Sequence, residues 1–304
     1  MSQKKKVGDL ISKITSGYEK HFNKEITQLD YLPDKGIVSE IILLLQKLLF
    51  PGYFNKGAVN ASDMECVVQD LVAEIKLKLH RQICRTMNLD CGHCEKRCKM
   101  ADKAEEKCNA FLETIPGVID ILATDVEATL EGDPAAKNKH EIIFTYPGLF
   151  AISIYRLAHQ LHLLSIPLLP RMMTEHAHSL TGIDIHPGAK IGSYFCIDHG
   201  TGLVIGETTV IGSHVKLYQG VTIGALSTQG GQKLKGKKRH PTLEDNVVIY
   251  SGATILGGET VIGSGSVIGG NVFITQSVPS NTKVNMKLHE LEYKRYGMNK
   301  TDSV

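Results

Sequence analysis

Aliphatic residues recur every six positions in the last third of this chain, a period that neither an α-helix nor an alternating strand can use. The beat runs Ile185, Ile191, Ile197, Leu203, and resumes in a second phase at Ile205, Ile211, Leu217, Ile223. It returns at Leu243, Ile249, Ile255 and at Ile262, Ile268, Ile274. The next residue is often glycine (Gly192, Gly206, Gly212, Gly224, Gly263, Gly269). Four positions after the aliphatic stands a small or β-branched side chain such as Ala189, Thr209, Val215, Val221, Ala253, Ser266 or Val272. If each hexapeptide is one short strand and a corner, three of them make a triangular coil with both of these side chains pointing inward. Glycine after the aliphatic then lets the backbone turn where a Cβ would clash. One coil cannot bury its apolar side, but stacked coils bury a continuous column. Residues 183–275 supply roughly five coils, so the expected architecture is a parallel β-helix. A β-sandwich would require the in-phase spacing to be accidental.

Upstream the texture changes. Apolar residues follow helical periods in Ile37–Leu49, Val67–Ile83, Ala110–Leu130 and Leu149–Leu164, the last placing Ile152, Tyr155, Ala158 and His159 on one face. Pro51-Gly52, Asp90-Cys91-Gly92, Gly132-Asp133-Pro134 and Pro147-Gly148 mark breaks. The chain is therefore expected to be α+β: an α-helical N-terminal domain over 1–180, a β-helix domain over 181–280, and a C-terminal tail over 281–304 with a helical look at Leu288–Tyr296. Residues 225–242 interrupt the hexapeptides as a protruding loop, and loops on rigid scaffolds commonly carry function. The 304 residues carry a net charge of +2, so no general attraction to nucleic acid or membrane follows. No apolar run approaches the ~20 residues that span a bilayer. Asp9 and Glu19 follow the Met-Ser-Gln-Lys-Lys-Lys start with no apolar stretch between, so no secretory or transit signal is expected, and the chain reads as cytoplasmic.

Few groups in the repeats can move a proton near neutral pH. His199, in Asp198-His199-Gly200-Thr201-Gly202, and His240, which closes the loop in Lys237-Lys238-Arg239-His240-Pro241, are the exceptions that stand out. Asp184 precedes His199 by nearly one coil, so the two are placed to meet across adjacent coils, where a carboxylate orients an imidazole. On pattern alone a structural role for either histidine stays open.

Asp133-Pro134-Ala135, Asp184-Ile185-His186-Pro187-Gly188-Ala189-Lys190-Ile191-Gly192, Asp198-His199-Gly200-Thr201-Gly202, Gly206-Glu207-Thr208, Arg239-His240-Pro241-Thr242 and the run Ile249–Gly258 fall in one order that resembles serine O-acetyltransferase, over about residues 110–280. The resemblance to this hexapeptide-repeat family implies a left-handed β-helix. It also implies acetyl transfer from acetyl-CoA to the hydroxyl of L-serine, the first step of cysteine biosynthesis, with feedback inhibition by L-cysteine. By the same resemblance His199 is the base, Asp184 its orienting carboxylate and His240 the second active-site histidine. Asp133 and Asp198 would take the substrate ammonium, and Arg239 its carboxylate through a planar fork. Backbone N–H groups near Gly224 and Ala225 are candidates for the oxyanion. Acetyl-CoA, the co-substrate, would lie against Gly224, Ala225 and Ser251, with Lys238 and its neighbours Lys233, Lys235 and Lys237 toward its phosphates. No metal is expected in this site. The family's clefts lie between chains, which implies a homotrimer with His199 and His240 meeting from neighbouring subunits. Whether two trimers join into a hexamer stays open.

The chain departs from the family in two places. Gly224-Ala225 stands where the shorter bacterial form has Gly-Gly, before a longer loop. The end, Thr301-Asp302-Ser303-Val304, replaces the isoleucine with which relatives dock into the sulfhydrylase that follows them. Valine is one methylene smaller, worth roughly 1 kcal/mol of burial, and that complex is not expected. Cys84, Cys91, Cys94, Cys98 and Cys108 cluster around a C-x2-C, but lack the spacing of a four-ligand zinc ribbon and read as reduced thiols. Three other functions compete. A γ-type carbonic anhydrase needs an H-x4-H pair that His199, His214 and His240 do not supply. A trimeric scaffold would leave the Asp-His and Arg-His pairs to coincidence. An acyltransferase for a sugar or xenobiotic would usually lack the long helical region.

Overall fold

The computed structural model describes residues 3–21, 32–55, 60–88 and 97–287. The Cys91-Gly92-His93-Cys94 motif and the tail from residue 288 lie outside the described residues. The helices are α1 (Gln3–His21), α2 (Lys35–Leu49), α3 (Met64–Asn88), α4 (Arg97–Glu113), α5 (Ile115–Gly132), α6 (Lys139–Thr145), α7 (Pro147–Leu163) and α8 (Leu169–Thr181). The stretch Ala110–Leu130, expected as one helix, is broken at Thr114. Pro116 lacks an N–H and sits in the first turn of α5, where none is needed. Pro170 likewise sits in the first turn of α8.

Short strands follow: β1 (Asp184–Ile185), β2 (Lys190–Ile191), β3 (Cys196–Asp198), β4 (Val204–Ile205), β5 (Val210–Ile211), β6 (Lys216–Tyr218), β7 (Thr222–Gly224), β8 (Thr242–Leu243), β9 (Val248–Ile249), β10 (Thr254–Leu256), β11 (Val261–Ile262), β12 (Val267–Ile268), β13 (Phe273–Ile274) and β14 (Lys283–Val284). They stack as a left-handed parallel β-helix. The first face is β1-β4-β7-β10-β13, the second β2-β5-β8-β11 and the third β3-β6-β9-β12-β14. Register aligns Ile185, Ile205, Ile223, Ile255 and Ile274 in one column. Leu203 therefore does not continue the beat. It is the buried residue two places before Ile205, equivalent to Val221 before Ile223.

The glycines after the aliphatics are there for close approach, not for left-handed backbone. A Cβ on Gly192 would lie 2.6 Å from the carbonyl oxygen of Gly212 in the next coil. The left-handed corner residues between the second and third faces are Tyr194, His214, Asn246, Gly265 and Asn281. The rings of Tyr194 and His214 stack there at 4.3 Å.

One buried ion pair seats the helices on the first coil. Arg156 of α7 grips Asp125 of α5 through Nε (3.1 Å) and Nη2 (3.0 Å). The same guanidinium donates to the carbonyls of Ile191 and Gly192, both at 2.6 Å, and the amide of Phe195 donates to Asp125 at 2.9 Å. Tyr155 adds a hydrogen bond to the carbonyl of Ala189 at 2.6 Å. Among the described residues no helix is long and apolar enough to cross a membrane. Removing one partner of a buried pair strands the other charge, so Arg156→Met is expected to cost about 3–5 kcal/mol, read from urea unfolding. The double variant with Asp125→Leu is expected to recover much of that loss. A single variant as stable as the parent would show that the pair does not hold the layers together.

Candidate active site

The regular coil spends six residues per face, and the functional candidates sit where it does not. Between Ile197 and Ile205 the corner holds two extra residues, and His199 and Gly200 take up the excess with φ of 58° and 88°. A histidine in the left-handed region is strained. Its side chain projects into solvent, 74% exposed in the single chain. Its nearest carboxylate is Asp198, whose Oδ1 lies 3.5 Å from Nε2. The expected pairing with Asp184 is not formed. The Asp184 carboxylate is taken by Arg171 of α8, with Nη1 at 2.8 Å, so α8 competes for a group that the spacing alone assigned to His199.

The helical layer supplies the other wall of this corner. Asp133 is the residue at which α5 ends. Tyr146 donates its hydroxyl to Asp133 Oδ2 at 2.6 Å, and the amide of Ala135 donates to Oδ1 at 2.8 Å. Those two bonds, with smaller contributions from Lys216 and His199, hold the Asp133 carboxyl below its usual range, and the same bond pushes the Tyr146 phenol up to about 12. Asp198 is paired with Lys216 at 2.8 Å. Neither Tyr146 nor Lys216 carries a sequence signal, because a tyrosine before a helix and a lysine on a strand are commonplace. Cys196 lies buried beneath, its thiol pushed up to about 11 by burial.

The second half of the candidate site occupies a different edge of the prism, between the first and second faces. His240 is buried against Gly206, where a Cβ would fall 2.1 Å from the imidazole Cδ2. Its Nδ1 accepts from the amide of Thr208 at 3.1 Å. The Thr208 hydroxyl accepts the amides of Arg239 (2.9 Å) and His240 (3.1 Å), which leaves its own hydrogen for Nδ1 at 2.9 Å. Nδ1 is thus an acceptor, and the ring carries its proton on Nε2. Burial, then the charge of Arg239, pushes its pKa down to about 4, so His240 is a neutral N–H donor at pH 7. Arg239 is ion-paired with Glu207, which the charges of Arg239 and His186 hold below the usual carboxylate range against its own burial. Lys238 is exposed as a residue, but its ammonium is engaged by backbone. Its ammonium donates to the carbonyls of Thr208 (2.8 Å) and Pro241 (3.1 Å), and burial lowers its pKa.

Gly224 and Ala225 open the long loop on this second edge. Beneath the loop runs a trough of about 210 Å³ lined by Leu226, Leu234, Arg239, Gly257 and Gly258. Ser251 is not beside it. It lies between β9 and β10, on the His199 edge. Among the described residues one further set of ligand-type groups, Glu175, His178 and Asp184, lies within 4.8 Å of one another, but Arg171 is bonded to both carboxylates. Cys84 approaches His80 at 3.5 Å, and burial raises its thiol pKa.

The plasmid serine acetyltransferase of Synechococcus elongatus is 44% identical over 258 residues, spanning 83% of this chain and 81% of that one. The chain belongs to the serine acetyltransferase family. A Helicobacter pylori member of that family is 51% identical over 132 residues, covering 43% of this chain and 74% of its own length. Among solved structures, serine acetyltransferase isoform 3 of Entamoeba histolytica in complex with cysteine aligns with a TM-score of 0.72 at 36% identity, over 84% of this chain and 83% of that one. No family model matches the chain.

The buried, neutral His240 gives this serine acetyltransferase family member a pH signature. Between pH 6.5 and 4 the unfolded chain takes a proton at this position and the folded chain refuses it, so stability falls with pH across that window. The loss is at most roughly 3 kcal/mol at about 1.4 kcal/mol per pH unit. Unfolding free energies of the parent and His240→Asn are expected to converge as pH falls from 7 to 4. Parallel curves would mean that His240 is protonated in the folded chain.

Proposed function

We propose that this chain transfers the acetyl group of acetyl-CoA to the hydroxyl of L-serine, giving O-acetyl-L-serine and CoA. Family membership supports the reaction. The observation that carries the mechanism is the division of the polar groups between two prism edges. One edge presents anions and an exposed imidazole (Asp133, Asp198, His199), and the other presents Arg239 and a neutral N–H donor, His240. An amino acid with both charges and a hydroxyl matches the two edges together.

In this reading Asp133 and Asp198 receive the ammonium of serine. Arg239, oriented by Glu207, receives the carboxylate, with His240 Nε2–H as a second donor. Serine's hydroxyl is a poor nucleophile at pH 7. His199 takes its proton as the oxygen attacks the thioester carbon, and returns a proton to the departing CoA thiolate as the tetrahedral intermediate collapses. Asp198 is the carboxylate that steadies the imidazolium, while Asp184 is engaged by Arg171 in the single chain. Acetyl-CoA lies with its arm in the trough under the loop, where the glycine floor at Gly257-Gly258 and the two leucines suit an extended, mostly apolar chain. The backbone N–H groups at Gly224-Ala225 are the proposed donors to the developing oxyanion. The exposed lysines Lys233, Lys235 and Lys237 serve the phosphates by long-range attraction, while Lys238 shapes the loop.

The two polar sets lie on different edges of the prism, and in this reading one serine is held between copies, in a homotrimer. L-cysteine presents the same ammonium and carboxylate with a thiol in place of the hydroxyl, and inhibits by occupying the serine position.

The purified chain is expected to release thiol from acetyl-CoA with L-serine and not with a simple galactoside, and L-cysteine is expected to inhibit competitively against serine. Release with the galactoside alone would overturn the roles of Asp133 and Arg239. His199→Ala is expected to lower kcat by at least ~10²-fold, whereas Arg239→Ala is expected mainly to raise the serine KM. Near-normal turnover in the first, or an unchanged KM in the second, would remove that residue from its role.

A further inference from the structure

Lys216 has no part in the chemistry above, yet it bonds both Asp198 and the backbone beside Asp133. Its strand β6 lies one coil beyond β3, with Cys196 opposite Lys216 and Asp198 opposite Tyr218. The ammonium donates to the carbonyl of Gly132 at 2.6 Å, pairs with Asp198 Oδ2 at 2.8 Å and rests 4.5 Å from the centre of the Tyr218 ring. Only 14% of the side chain is exposed. Gly132 is the last residue of α5, immediately before Asp133, so a cation on its carbonyl also suits the negative end of the helix. Asp198 thereby has its two oxygens divided, Oδ2 to Lys216 and Oδ1 toward His199 Nε2. Burial opposes the charge on Lys216, but the bonds to Asp198 and Tyr218 outweigh it and hold the ammonium charged.

We infer that Lys216 is a positioning residue for the acetyl transfer, clamping the end of α5 and Asp198 together so that Asp133, Asp198 and His199 face one acceptor. The inference rests on the reading of His199 as the base. Lys216 and His199 share the Asp198 carboxylate, so removing the lysine leaves that carboxylate to the imidazole alone. The charged and titratable groups that meet at this edge are Asp133, Asp198, Lys216, His199 and the phenol of Tyr146, with Arg239 and His240 of a neighbouring copy joining them in the proposed site.

The test is the pH dependence of kcat/KM for Lys216→Met and Lys216→Arg in the full chain, with His199→Ala alongside and thermal unfolding as the folding control. Lys216→Met is expected to raise the serine KM on the order of tenfold and to move the acid limb up by about half a pH unit or more. Lys216→Arg is expected to restore most of both. In an Asp198→Asn background the Met substitution is expected to lose its effect on the acid limb, which a purely structural lysine would not do. If the Met variant does not fold, Lys216→Gln keeps a donor for the Gly132 carbonyl while removing the charge, and the same shift is expected. An unchanged KM and acid limb, with His199→Ala inactive, would overturn the clamp and leave the base reading intact. Full turnover in His199→Ala would overturn both.

Discussion

The pair of Arg156 and Asp125 is the contact on which the rest of this structure depends. A guanidinium so deeply buried is tolerable only because Asp125 and the carbonyls of Ile191 and Gly192 meet its donors in fixed directions. Asp125 in turn receives the amide of Phe195, so one carboxylate joins two helices to a prism corner. Burial raises the pKa of Asp125 and the charge of Arg156 works against that rise. With α5 locked this way, its end, and therefore Asp133, is delivered to the corner that carries Asp198 and His199. Had the helices docked elsewhere, Asp133 would not stand beside Asp198 and His199, and the anionic half of the proposed site would not be assembled.

The prism was legible because its physics is periodic. A hexapeptide beat specifies which side chains point inward and allows no other packing, and the columns of Ile185 and Ile191 follow it. The slips in phase are equally informative. Two extra residues before Ile205 make the corner that displays His199, and the long excess before Leu243 makes the loop that ends at Arg239-His240. Departures from a rule that a fold otherwise obeys mark strain and function, and here they lie in the string itself. Misreading Leu203 as a beat residue came from continuing the period through the first slip.

Contacts between distant segments were less legible. Asp184 is near His199 in coil count, but Arg171 comes from a helix whose docking angle no local pattern specifies, and it takes the carboxylate. Lys238 sits in a basic run that suggests phosphate contact, yet its ammonium bonds the backbone carbonyls of Thr208 and Pro241. Tyr146 and Lys216 were invisible because neither residue type is unusual where it stands; only the folded arrangement brings them to Asp133 and Asp198. The tautomer of His240 likewise depends on Thr208, a residue on the neighbouring coil that the loop must close over.

Both halves of the proposed site lie on every copy, but on different edges of the prism, and the proposed chemistry needs neighbouring copies to join them. The most direct test mixes two inactive chains, His199→Ala and His240→Asn, by unfolding and refolding them together. If sites form between copies, equal mixing regenerates intact sites in about one quarter of positions, and serine-dependent acetyl transfer returns to about that fraction of the parent's. If each chain holds a complete site of its own, mixing creates no intact site and activity stays at the level of the separate variants, which would contradict the shared-site account.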